Sequence, residues 1–155
     1  MMAESGQTDG IGGHVPQLPH PEQNLAMYRA LSTAIRAGLV RTAHDCSEGG
    51  LAVALAEMCI GGRLGASVDI DGTGDGDVWG RLWGESLGRF VVAVSPDHEE
   101  AFLAAMKGYP TTVLGTVDDT EHLQITDGDD PLVKMSVDAM ATAWKGTLDL
   151  TGGMA

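Results

Sequence analysis

The feature that most restricts the fold is a junction: LVRTA, residues 39–43, runs into the polar cluster HDCSEGG, and LAVALAEMCIGG follows at once. The first run is short and apolar, as a strand is, whereas in the second Leu51, Leu55, Met58 and Cys59 recur at helical spacing before Gly61-Gly62. A strand that turns into a helix within a few residues, through two adjacent glycines, belongs to layered α/β folds.

The rest of the chain continues the alternation. Leu25, Tyr28, Leu31 and Ile35 predict a helix over residues 22–36 that stops at Gly38. Residues 66–70 read as a strand, the loop DGTGDGD leads into a short helix over Val78–Trp83, and FVVAV, residues 90–94, reads as a strand buried on both faces. Ser95-Pro96-Asp97 supplies an N-cap, a proline and a first-turn acid for a helix whose inner face carries Ala101, Phe102, Ala105 and Met106. Residues 111–117 and 122–126 predict a strand pair, and residues 136–144 a last helix. The fold class expected is α/β, α+β-like in order: a two-layer domain with a mixed sheet of four to six strands covered by helices. Residues 1–20 read as a leader or linker, 21–150 as one domain and 151–155 as a tail.

Charge narrows the partners. With 22 acidic against 9 basic residues the formal charge is -13, which argues against nucleic acid. No apolar run approaches a membrane span, and no basic and apolar leader marks secretion, so the expected address is cytoplasmic. Two cysteines, Cys46 and Cys59, are too few for a disulfide framework or a zinc site and read as reduced thiols. Asp69 to Asp77 hints at a calcium loop, but Gly80 or Leu82 falls where the bidentate glutamate belongs. His14, His20, His98 and His122 have no partner at ligand spacing and read as surface residues; Trp79, Trp83 and Trp144 read as core or interface packing.

The polar cluster admits two readings. Asp45 or Ser47 caps the helix while Gly49-Gly50 permits the bend, or else the N–H groups of a helix opening on two glycines bind an anion, with Asp45 holding magnesium on its far side. Cys46 fits a small buried residue better than a nucleophile, because no third group orients His44. Arg89, near Glu85 and Ser86, either binds a phosphate or forms an ion pair with Glu85.

The stretches GLVRTAHDCSEGGLAVALAEM, LWGESLGRFVVAV and AWKGTL resemble the C-terminal domain of the phosphoribosylformylglycinamidine synthase family, in the aminoimidazole ribonucleotide synthetase superfamily, over about residues 13–148. Cys46, where Val or Ile is usual, and Leu87-Gly88 depart from the family pattern. The resemblance implies an amidoligase of purine biosynthesis that turns formylglycinamide ribonucleotide, ATP and glutamine-derived ammonia into formylglycinamidine ribonucleotide, ADP and phosphate. It implies His44, Ser47, Gly49, Gly50, Glu85, Ser86 and Arg89 at substrate or nucleotide phosphate, Asp45 at Mg2+, and no catalytic residue in these 155 residues. Family members carry the catalytic histidine and most of the ATP site in an N-terminal half, so the chain is expected to be a truncated piece that does not turn over alone. That half, a glutamine amidotransferase and the ribonucleotide are the implied partners; a homodimer is left open. The alternative is an assembly module that packs in the synthetase without binding ligand.

Overall fold

The computed structural model describes residues 20–74 and 76–146. The leader 1–19, with His14, and the tail 151–155 lie outside the described residues, as does the domain end at 150. The order is α1 (Pro21–Arg36), β1 (Thr42–Asp45), α2 (Gly50–Gly62), β2 (Gly65–Asp69), α3 (Val78–Trp83) and β3 (Phe90–Ala93). A 3-10 turn (Pro96–His98) then precedes α4 (Glu99–Ala105), β4 (Gly115–Asp118), β5 (His122–Asp127), β6 (Asp130–Ser136) and α5 (Val137–Gly146).

The strands form two sheets. β4-β2-β5-β6 is a mixed four-stranded sheet, with β2 parallel to β5 and antiparallel to β4; β1 and β3 form a separate antiparallel pair. Period-2 alternation makes the large sheet amphipathic. Ala66, Val68, Leu123 and Ile125 are buried in a core shared with α2 and α5, while Ser67, Thr116, Gln124 and Lys134 share the opposite face. Two layers follow from that division, because only one face needs cover. Ile70, Leu123, Ile125 and Val137 are almost fully enclosed, each worth about 1.5–3 kcal/mol relative to exposure. α2 contributes Leu51, Ala52, Ala54, Leu55 and Cys59, and stops where Arg63 turns left-handed and donates its N–H to the Cys59 carbonyl.

A second, smaller core joins Leu31 and Ala34 of α1 to Phe102 and Met106 at α4. The β1-β3 ribbon lies between the two cores. Val91 points into the larger, and Val92 and Val94 pack on the smaller, so the FVVAV segment does contact apolar groups on both sides; its first residue, Phe90, is exposed. The run is therefore half-buried and belongs to a two-stranded ribbon, since its continuous apolar pattern reflects two cores and not a central position in one sheet.

Several expectations are corrected. The first strand begins at Thr42 and takes in His44 and Asp45, three residues later than the apolar run at 39 suggests. β4 and β5 are not paired with each other: β2 lies between them, and the chain crosses over the start of β2 to reach the far side. β6 was not anticipated; its Pro131 is tolerated because β6 is an edge strand with a register shift facing Ile125 and Thr126. Ser95 makes no side-chain cap, and a 3-10 turn intervenes before α4. Ala101 and Ala105 are exposed, leaving Phe102 and Met106 to anchor α4. Trp79, Trp83 and Trp144 are exposed and outside both cores, and His98 and His122 are half-buried, unlike the exposed His20.

The crossover imposes a local demand on Gly65. A Cβ there would lie 2.6 Å from Thr120 Oγ1 and 2.7 Å from the His122 carbonyl oxygen, and closer still to Asp118 Oδ1. Asp118 holds the same turn, accepting the Thr120 N–H at 3.0 Å and the Ser67 hydroxyl at 3.1 Å. These bonds hold its carboxyl below the usual carboxylate range, those from Thr120 first. We expect Gly65→Ala to destabilise the domain by about 1–3 kcal/mol through overpacking, read as a lowered urea midpoint at unchanged slope.

Candidate functional site

β1, the turn into α2, the loop 84–89 and the flank of α1 enclose an open cleft of about 790 Å³. Its polar lining comes from His44, Asp45, Ser47, Glu85, Ser86 and Arg89, and Leu31, Ile35, Leu87 and Phe90 supply apolar lining. Six of the eight predicted site residues are thus brought together, from segments some forty positions apart. The β1-β3 pairing makes this possible: Asp45 pairs with Phe90, and the Cys46 N–H donates to the Arg89 carbonyl at 3.0 Å.

Asp45 is exposed at the cleft, its Oδ2 accepting the Ser47 hydroxyl. That bond, followed by its own backbone N–H, holds the carboxyl below the usual range. Ser47 therefore orients a carboxylate and caps nothing. His44 Nδ1 lies 2.7 Å from the Asp45 carbonyl oxygen, and Nε2 lies 3.1 Å from Glu57 Oε2. Both ring nitrogens face acceptors, so a neutral ring can donate to only one. Glu57, seven residues into α2, was not foreseen, since nothing in its spacing ties it to His44.

Gly49 and Gly50 require the clearest correction. The Gly49 N–H donates to Glu85 Oε1 at 2.9 Å, and the Gly50 N–H donates to the Ser47 carbonyl at 3.1 Å. Neither is open to an anion. Gly50 is buried with φ +64°, and a Cβ on it would meet the Leu82 carbonyl oxygen at 2.8 Å, the Trp83 carbonyl carbon at 2.8 Å and the Gly84 carbonyl oxygen at 2.9 Å. The diglycine corner is covered by the backbone of α3 and its exit, so it serves close packing and the bend. The cap on α2 comes from a carboxylate 36 residues away in place of Asp45 or Ser47.

Glu85 is therefore a structural acceptor through Oε1. Arg89 forms no ion pair with it among the described residues; its guanidinium donates to the Gly84 carbonyl at 3.2 Å and the Arg81 carbonyl at 3.1 Å, in the manner of a basic group at a helix C-terminus. Cys46 is buried and burial pushes its thiol up, as for Cys59, so neither is a ready nucleophile. No group of three or more His, Cys, Asp or Glu side chains arranged for a metal occurs among the described residues. No helix among them is long and apolar enough to cross a membrane.

Residues 1–128 match the family described as AIR synthase related protein, C-terminal domain. The chain belongs to that family. Its fold is similar to that of Thermotoga maritima PurL complexed with ATP, at 25% identity and TM-score 0.71, over 81% of this chain and 23% of that one. PurLQS from the same organism aligns at 25% identity and TM-score 0.73, over 86% of this chain and 24% of that one. Phosphoribosylformylglycinamidine synthase II of T. maritima aligns at 25% identity and TM-score 0.70, over 81% and 22%. The chain thus spans less than a quarter of the length of each.

Replacing Ser47 by alanine removes the leading cause of the Asp45 shift. A carboxyl whose folded value is lowered contributes stability that is present above its unfolded value and lost as pH falls through the folded one. We expect Ser47→Ala to move the Asp45 midpoint up toward the ordinary range, so that this contribution shrinks; carboxyl-carbon NMR titration reads it directly.

Proposed function

We propose that the chain is the C-terminal domain of an ATP-dependent amidoligase of de novo purine biosynthesis, acting on formylglycinamide ribonucleotide with glutamine-derived ammonia. Family membership and likeness to the T. maritima synthase support the reaction class. The observation that carries the reading at this site is Asp45, an exposed carboxylate kept ionised by Ser47 in the lining of an open cleft.

Asp45 suits Mg2+ as a single ligand. Its Oδ2 accepts the serine hydroxyl and its Oδ1 lies 3.8 Å from His44 Nδ1, and magnesium bound through one or two carboxylates would take its other ligands from phosphate oxygens and water. Bound there, the ion would neutralise charge on the transferred phosphoryl group. The chain's own residues complete the polar lining: Ser86 offers a hydroxyl, the Arg89 guanidinium borders the cleft beside it, and His44 flanks Asp45 from β1. Glu85 holds the wall in place through its bond to Gly49. The amide hydrogens of the diglycine corner take no part. The remaining contacts to ATP come from an N-terminal half, so these 155 residues alone do not turn over; that half and a glutamine amidotransferase are the partners, in the cytoplasm.

A second reading, an assembly module without a ligand, draws support from the exposed apolar side chains Trp79, at 68% of its full exposure, Val113 at 64% and Trp144 at 60%, which suit contact with another surface. Titrating Mg2+ with a non-hydrolysable ATP analogue while recording amide shifts separates the two. The first reading expects saturable shifts at Asp45, Ser47, Ser86 and Arg89, weakened in Asp45→Asn by at least the roughly tenfold that loss of a supporting group costs a metal site. Unmoved amides at millimolar ligand favour the module, and steady turnover by the 155 residues with ammonium would overturn the claim of inactivity.

A further inference from the structure

We infer that Arg81, outside the cleft, is the positioning residue that sets the cleft wall. α3 is six residues long, too short for its own hydrogen bonds to fix its place; Asp77 caps it, accepting the Gly80 N–H at 2.7 Å, and Leu82 anchors it in the main core. Arg81 adds what those contacts lack, a directional tie from α3 to the large sheet. Its guanidinium forms a two-pronged pair with Asp127 at the end of β5, Nη1 to Oδ1 at 2.8 Å and Nη2 to Oδ2, and Nη1 also donates to the Ile70 carbonyl at 3.0 Å just past β2. Both partners of the pair are largely shielded, with side-chain exposures of 13% and 20%. Such a fork fixes orientation as well as distance, which a lysine cannot do.

From there the linkage runs to the cleft. The Arg81 carbonyl accepts from Arg89, a cleft residue, and the Gly84 carbonyl accepts from the same guanidinium. Leu82 is buried in the main core, and the backbone of 82–84 lies against Gly50 with no room for a methyl group. Glu85, the next residue, reaches back to the Gly49 N–H. Displacing α3 from Asp127 moves Glu85 off Gly49 and shifts the wall formed by 85–89. This linkage stands on geometry alone; only its consequence for a bound nucleotide rests on the function proposed above.

Hydrogen exchange of the 155-residue chain tests it without reference to activity. In Arg81→Met the Gly49 amide is expected to exchange faster by on the order of tenfold, beyond any change at Ala54 and Leu55 deeper in α2. Glu85→Ala, which removes the acceptor, should act on Gly49 similarly alone and add little to Arg81→Met, because the bond is already lost; Arg81→Lys should fall between. The inference is overturned if Gly49 changes only in parallel with Ala54 and Leu55, or if Glu85→Ala keeps its full effect in the Arg81→Met background. Should Arg81→Met fail to fold, Asp127→Ala is measured the same way, and an unchanged Gly49 rate in that variant overturns the inference. A normal nucleotide titration alongside faster Gly49 exchange leaves the linkage standing and removes only its consequence for ligand.

Discussion

The close approach of Gly50 to the backbone of Leu82–Gly84 is the constraint on which the cleft depends. It brings the opening of α2 and the exit of α3 to a separation that no other residue type allows, and the β1-β3 ribbon then sets Asp45 opposite Phe90. Without that contact the cap from Glu85 to Gly49 could not form, because a carboxylate side chain spans only a few ångströms. The polar lining of the cleft is thus assembled by backbone packing first and by side-chain bonds second. Asp45 and Ser47 come from the end of β1 and the turn into α2, Ser86 and Arg89 from the loop before β3.

Charge is managed by short-range bonds in a chain of net charge -13. Asp45, Asp69 and Asp118 each accept local hydroxyl or backbone N–H donors that hold the carboxyl below the usual range. Asp127 meets a guanidinium. These carboxylates are bonded at or near the surface, and the apolar core contains no buried charged side chain among the described residues. Of these four carboxylates Asp45 is the one that lines the cleft.

Much of the fold was legible in the residue pattern. The helices of α1, α2, α3 and α5 announce themselves by apolar spacing and by glycine or proline at their ends, and the motif around His44 to Gly50 was read correctly as a strand that turns into a helix. The pairing of strands was not legible. An alternating run shows which residues share a face but not which neighbour completes the ladder, so β4 and β5 looked like a hairpin although β2 separates them. β6 was passed over, and its Pro131 lacks an N–H that only an inner strand would need.

Local chemistry along the chain determined the element types, the acidic character and the set of residues at the cleft, because periodicity, capping and charge are properties of neighbours in sequence. What those residues do was decided by tertiary structure. Gly49 and Gly50 carry the same sequence signal whether their N–H groups are open or bonded, and the answer came from Glu85, 36 positions away. Arg81 gave no signal at all, since its partner Asp127 lies 46 positions on and the two meet only in the folded chain. Side-chain bonds of such range depend on the folded path of the backbone, and that path is set by how two cores and two sheets fit around one another.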